Sequence, residues 1–238
     1  MVTLKHLIMT GKTNNMEYTY FWKNKSPLSQ WYGDWMSKNS TTYDGSFEVG
    51  VFKYRTAEHY MMAEKALLFN DYEACHKILN EKHPRDVQKE GRLISNFDQA
   101  KWDEHKEEIV YQGNYAKFSQ HGDLRRKLLN TADTILVEAS PHDSIWGIGL
   151  DEMEAKTMEE KYWPGLNLLG KVLMRVRAQL RKDIAEIPDK VLALDNKLKG
   201  IRQAKSDVVK SMQYEKAAGL RDDEKAVMKE IELLKESL

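Results

Sequence analysis

The sequence predicts an α+β protein, mainly helical with a small β-sheet, followed by an antiparallel helical hairpin. Three observations carry that prediction. Apolar residues recur at helical spacing through most of the segment after Thr56, with only a few short β-rich stretches before and between. Every Trp and Phe precedes Pro164, and the remainder of the chain holds one aromatic, Tyr214. The last fifty or so residues carry two apolar seams of heptad type. With 238 residues, 41% of them hydrophobic, the chain can bury a core as one domain with an appendage.

The elements follow in order. "YTYFW" and "SFEVGVFKY" combine aromatic and β-branched residues with alternation and are bounded by "NKSP" and "YDG", so they read as short strands. Thr56 is the expected N-cap of a helix through "AEHYMMAEKALLF", with Tyr60, Ala63, Leu67 and Leu68 on one face. Further helices are expected in "YEACHKILNEK", "PRDVQKEGRLI", "QAKWDEHKEEIVYQGNYAKFSQ", "DLRRKLLNTA" and "NLLGKVLMRVRAQLRK", and "TILVEA" reads as a buried strand. The composition places a boundary between a first domain, 1–186, and a hairpin, 187–238. From Ile187, residues Val191, Leu194, Leu198, Ile201, Val208 and Met212 keep a 3-4 spacing with Lys205 in the one polar slot. After "MQY" the seam resumes at Ala217, Leu220, Val227, Ile231 and Leu234, interrupted by Glu224. Eleven Lys/Arg against ten Asp/Glu leave the hairpin without a basic stripe, which suits contact with protein or self-association.

Several function classes are disfavoured. The 37 basic and 37 acidic residues balance, so the whole molecule lacks the excess that drives non-specific binding to phosphates. Cys75 is the single cysteine, no Cys/His cluster has the spacing of a zinc site, and neither a secretory h-region nor a bilayer-length apolar run is evident. A soluble protein of the reducing cytoplasm, without a membrane role, is expected. "GKT" at Gly11 lacks the upstream glycine of a phosphate-binding loop, and no serine-hydrolase elbow or dinucleotide fingerprint occurs.

The candidate chemistry centres on "ASPHDSIWGIGL", residues 139–150, which has neither helical period nor the charged padding of a solvent loop. Asp143 there suits a turn cap, yet Trp146 beside Gly147 pairs a flat ring with backbone that a planar ligand could approach. Glu58 lies in the first turn of its helix, where the macrodipole favours a carboxylate whatever its function. Its apolar and aromatic neighbours also make it a candidate for a buried acid of raised pKa. His59 reads as a solvent or core histidine. Trp102, alone on a charged helix, reads equally as core or as a stacking platform, and Phe21, Trp22, Trp31 and Trp35 read mostly as core.

Taken together, "YFW", "SPLSQW", "FKYRTAEHYMMAEKA", "EGRLISNFDQAKWDEHK", "NYAKFSQHGDLRRKLLNTADTILVEASPHDSIWGIGL" and "NLLGKVLMRVR" resemble the NADAR superfamily of N-glycosidases, over about residues 18 to 180. The resemblance implies hydrolysis of a ribose–nitrogen bond with neither metal nor cofactor. It implies catalytic roles for Glu58, Trp102 and Asp143, with Asp143 facing Glu58 across the substrate. Gln30 and Trp31 depart from the Asn and Phe usual in one family motif. The substrate-binding wall is expected at Phe21, Trp22, Gln30, Arg92, Trp146, Gly147 and Asn167, with Arg92, Lys117, Arg125 and Lys171 as candidates for holding phosphate.

Family members are associated with two substrate classes, phosphoribosyl pyrimidine intermediates of riboflavin synthesis and ADP-ribose attached to guanine in nucleic acid. Residues 211–234, with "YEKAAGLRD" as their core, resemble the UVR motif, a protein-docking hairpin found in excision-repair subunits and elsewhere. That resemblance tilts the expectation toward ADP-ribosyl-guanine, with nucleic acid as carrier of the substrate. A non-catalytic nucleotide-binding module, or an adaptor acting through the hairpin, is the reading from another class; two retained acids favour catalysis.

Overall fold

A computed structural model describes residues 17–33, 45–211 and 213–236. Trp35 and Met212 lie outside these. Strands β1 (Tyr18–Phe21) and β4 (Ile135–Glu138) pair in parallel, with Phe21 opposite Glu138. Strands β2 (Phe47–Val49) and β3 (Phe52–Tyr54) form an antiparallel hairpin turned at Gly50, whose φ of 61° suits glycine. Among the described residues the expected small sheet is two separate two-stranded ones.

Between β1 and β4 lies the helical body. It comprises α1 (Ala57–Leu68), α2 (Tyr72–Asn80), α3 (Pro84–Arg92), α4 (Gln99–Gln120) and α5 (Gly122–Leu129). Thr56 caps α1 as its sequence predicts, its hydroxyl accepting from the His59 amide. The expected single apolar face is corrected. Ala57 through Ala63 are all buried, while Leu67 and Leu68 are only partly so, because α1 is wrapped by α2, α3, α4 and β3. His59 is a core histidine, held by the Thr56 hydroxyl at 2.8 Å and the Glu81 carbonyl at 3.1 Å.

After β4 come the short helix α6 (Glu152–Ala155) and then α7 (Leu168–Lys210) and α8 (Tyr214–Glu236). Leu169, Val172, Leu173 and Val176 of α7 are fully buried against the core beneath β4 and α4. The helix then runs on through Pro188 without ending, so the compositional boundary falls inside one continuous element. Proline removes one backbone donor there, but the rest of the ladder holds. Helix α8 folds back on α7 about Leu198, Val227 and Ile231. Lys205 and Glu224, the two polar residues in the predicted seams, meet each other as an ion pair, with Arg202 bonding the same carboxylate at 2.8 Å. Such a polar contact within an apolar seam specifies register.

Candidate active site

A cavity of about 750 Å³ opens at the carboxyl ends of β1 and β4. Parallel strands commonly present their ligand sites at that end. Three segments wall it: the loop after β1 (Trp22, Lys23, Asn24, Ser29, Trp31), the start and body of α3 (His83, Arg85, Gln88, Arg92), and the end of β4 with its loop (Glu138, Ser140, His142, Asp143).

Asp143 fills both roles its sequence left open. Its Oδ1 accepts from the amides of Ile145 and Trp146, each at 2.8 Å, which caps the turn, and the side chain also lines the cavity. The turn is fixed by its neighbours. The Ile148 amide donates to Glu138 at 3.0 Å, and Gly165, Leu166 and Asn167 donate back to Ile148, Ser144 and Gly147. Gly147 serves this packing rather than ligand approach, since a Cβ there would come within 2.9 Å of the carbonyls of Glu138 and Asp143.

Glu58 lies behind Trp31, only 3% exposed, and its Oε1 is inaccessible with no hydrogen-bond partner among the described residues. Burial pushes its pKa up to about 8; a hydrogen bond from the Trp31 side chain opposes this, the charge of Asp143 reinforces it, and Arg92 and Lys65 pull it back. Asp143 and Glu58 are therefore within electrostatic reach of each other. The Glu58 amide donates to the Gln30 carbonyl at 3.0 Å, tying α1 to the loop that carries Trp31.

A third carboxylate was not singled out in the sequence. Glu138, at the end of β4, lines the cavity with its Oε2 inaccessible and unpaired among the described residues. Burial raises its pKa to about 8, with the charges of Asp143 and Glu58 adding to the shift. The signal available was an acid closing the otherwise apolar strand "TILVEA". Glu138 and Asp143 thus line one cavity, with Glu58 behind its Trp31 wall and electrostatically coupled to both, although no group of three His, Cys, Asp or Glu among the described residues is arranged to hold a metal ion.

Other expected contacts are corrected. Trp102 does not line the cavity; it is buried in the helical core beneath Lys65, whose Nζ stands 5.4 Å from the ring centre. Phe21 is core. Gln30 is buried behind the wall, where its Oε1 accepts from Asn114 at 2.8 Å. Trp146 is half-buried against the core. Asn167 clamps β4 from the other side, its Nδ2 donating to the Leu136 carbonyl at 2.9 Å and its Oδ1 accepting from the Glu138 amide at 3.0 Å. Of the phosphate candidates only Arg92 reaches the cavity. Lys117 is fully buried, donating to the carbonyls of Pro27 and Ser29 at 2.8 and 2.9 Å, and Arg125 and Lys171 stand elsewhere. Trp22 does line the site, 37% exposed, with the His142 ring 6.4 Å away, and Trp31, expected in the core, faces His83 at 6.3 Å.

Residues 20–181 match the NADAR domain family. An N-glycosidase of Acanthamoeba polyphaga mimivirus is 45% identical over 148 residues, which are 62% of this chain and 86% of that protein. N-glycosidase YbiA of Escherichia coli is 34% identical over 125 residues, 52% of this chain and 69% of the relative. The riboflavin biosynthesis protein PYRR of Zea mays is 32% identical over 136 residues, 54% of this chain but only 20% of the larger protein. The solved structure of Escherichia coli YbiA superposes with a TM-score of 0.55 at 26% identity, covering 71% of this chain and 88% of that one.

Proposed function

Because the chain belongs to the NADAR domain family, whose curated relatives include N-glycosidases, we propose that its cavity hydrolyses the bond between a ribosyl C1′ and the nitrogen of a base. The observation that carries this reading is a cavity rimmed by Trp22 and Trp31 and lined by Asp143 and Glu138, with Glu58 buried behind Trp31 within electrostatic reach of both acids. Breaking a ribosyl C–N bond builds positive charge on the sugar, which fixed carboxylates stabilise and which stacking on a base does not require. Asp143, its Oδ1 held by two amides, presents a carboxylate to the cation and holds the attacking water, and Glu58, behind Trp31, acts on the same side of the site through Asp143. Trp22 and Trp31, which line the cavity where Trp102 does not, are the rings we assign to stacking on the base.

Among substrates, ADP-ribose on guanine is the reading we favour. Lys23, Arg85 and Arg92 supply three exposed cations at the cavity, which suit a diphosphate. The likeness to PYRR supports a second reading, a phosphoribosyl pyrimidine. The buried free thiol of Cys75 suits the reducing cytoplasm, and no helix among the described residues is long and apolar enough to cross a membrane. Docking of a protein partner through the hairpin belongs to the same proposal. Glu58→Gln is expected to lose turnover while retaining ligand binding, measured by base release and by calorimetric titration; an unimpaired rate removes Glu58 from the mechanism.

A further inference from the structure

Hydrolysis at C1′ needs a proton on the departing nitrogen as well as a carboxylate near the sugar, and the two acids assigned so far serve the sugar side. Glu138 is the acid without a task. It closes β4, so its backbone is fixed by the sheet, by the Asn167 carboxamide at 3.0 Å and by the Ile148 amide on its carbonyl at 3.0 Å. A side chain so anchored delivers its carboxyl to one place. It lines the cavity, while its Oε2 is shut off from solvent and bonded to nothing among the described residues. A charged oxygen in that position is costly, so the group is built to carry a proton.

We propose that Glu138 is the catalytic acid that protonates the leaving base. The inference rests on the N-glycosidase reading. In the step, the C1′–N bond breaks and its electron pair leaves with the nitrogen, which takes the proton of Glu138. A water oxygen bonds to C1′, and the proton that water loses passes by way of Asp143 to restore Glu138. The sum is one water consumed, a free sugar hydroxyl formed and a neutral base released. The surroundings agree. Burial first and then the charge of Asp143 press the carboxyl toward its protonated form, while Arg92, Arg85 and Lys23 stand with the phosphate-facing rim. The ordering matters because an acid catalyst must hold its proton where the enzyme works.

The test uses the full chain and two ribosyl substrates of equal phosphorylation. One carries an amino-base; the other carries 4-nitrophenolate, which departs without a proton. Glu138→Gln keeps the shape and removes the acid. It is expected to lower kcat on the amino-base by about 100- to 10,000-fold, the usual contribution of a general acid, and to leave kcat on the nitrophenyl substrate close to wild type. The wild-type rate on the amino-base should fall above about pH 8 more steeply than the rate on the nitrophenyl substrate, because only the former needs the proton of Glu138. Glu138→Asp, which keeps the acid but draws it back, should fall between wild type and Glu138→Gln on the amino-base alone. Equal losses on both substrates, or none on either, overturn the assignment while leaving the N-glycosidase reading intact. A wild-type enzyme inert on the amino-base overturns both.

Discussion

Glu58→Gln should change the pH dependence of stability as well as turnover, and the sign follows from burial. In the folded chain Glu58 holds its proton up to about 8, whereas the unfolded chain releases it near the ordinary 4.5. Between those values the native state binds a proton that the unfolded state has lost, so wild-type stability falls as pH rises through this window and levels off above it. At roughly 1.4 kcal/mol for each tenfold change, the span from about pH 5 to about pH 9 removes on the order of 4 kcal/mol. Glutamine has the same shape, keeps an oxygen for Trp31 and carries no such penalty, although its buried amide costs a constant amount at every pH. The comparison is therefore of differences: urea unfolding of both proteins at the two pH values should show the variant gaining on wild type by about 4 kcal/mol at the alkaline one. Parallel stability profiles would refute the claim that Glu58 is held neutral by its surroundings.

Three further outcomes are expected. Asn167→Ala removes both clamps on β4 and puts alanine at a φ of 52°, so unfolding free energy should drop by about 3 kcal/mol and kcat should fall because Glu138 loses its anchor; Asn167→Gly, free of the backbone strain, should lose less stability. Lys117→Met strands the carbonyls of Pro27 and Ser29, which should cost about 2 kcal/mol and loosen the loop bearing Trp31. Burial lowers the Lys117 pKa to about 7, so wild-type stability should rise between there and the ordinary 10.5, where the unfolded chain still holds the proton, and the variant should lack that rise on denaturation across the range. Deleting residues 188–238 removes a hairpin whose core is separate from that of the body, so kcat/KM on a small substrate should be unchanged.

Much of the fold was legible because local signals and tertiary packing agreed. Thr56 capped its helix, the 22 residues of α4 matched their sequence pattern, and Lys205 and Glu224 found each other across the hairpin. Helix α1 was misread because its partners surround it, and a helix buried on every side has no polar face to set a period. Of the residues that line the cavity, Asp143, Trp22 and Arg92 are site candidates on sequence, and most of the remaining wall is not. Gln30, Asn167 and Gly147 belong to motifs, yet their task is to hold Glu58, Glu138 and Asp143 from behind, and sequence spacing does not distinguish a residue facing a ligand from one facing a backbone carbonyl. Lys117 illustrates the same limit, a candidate for holding phosphate that is an internal strut. For Glu138 the sequence offers only an acid closing an apolar strand, a faint signal; the fold gives it meaning by setting it in one cavity with Asp143.

The account turns on whether this cavity cuts a ribosyl–nitrogen bond. Incubation of the full chain with DNA carrying ADP-ribosylated guanine, and separately with phosphoribosyl pyrimidines, followed by chromatography of the products, reads that directly. Release of free ADP-ribose with restoration of the unmodified guanine is the predicted result. Release of phosphoribose and pyrimidine alone would move the substrate to the second class, and intact starting material in both incubations would contradict the account.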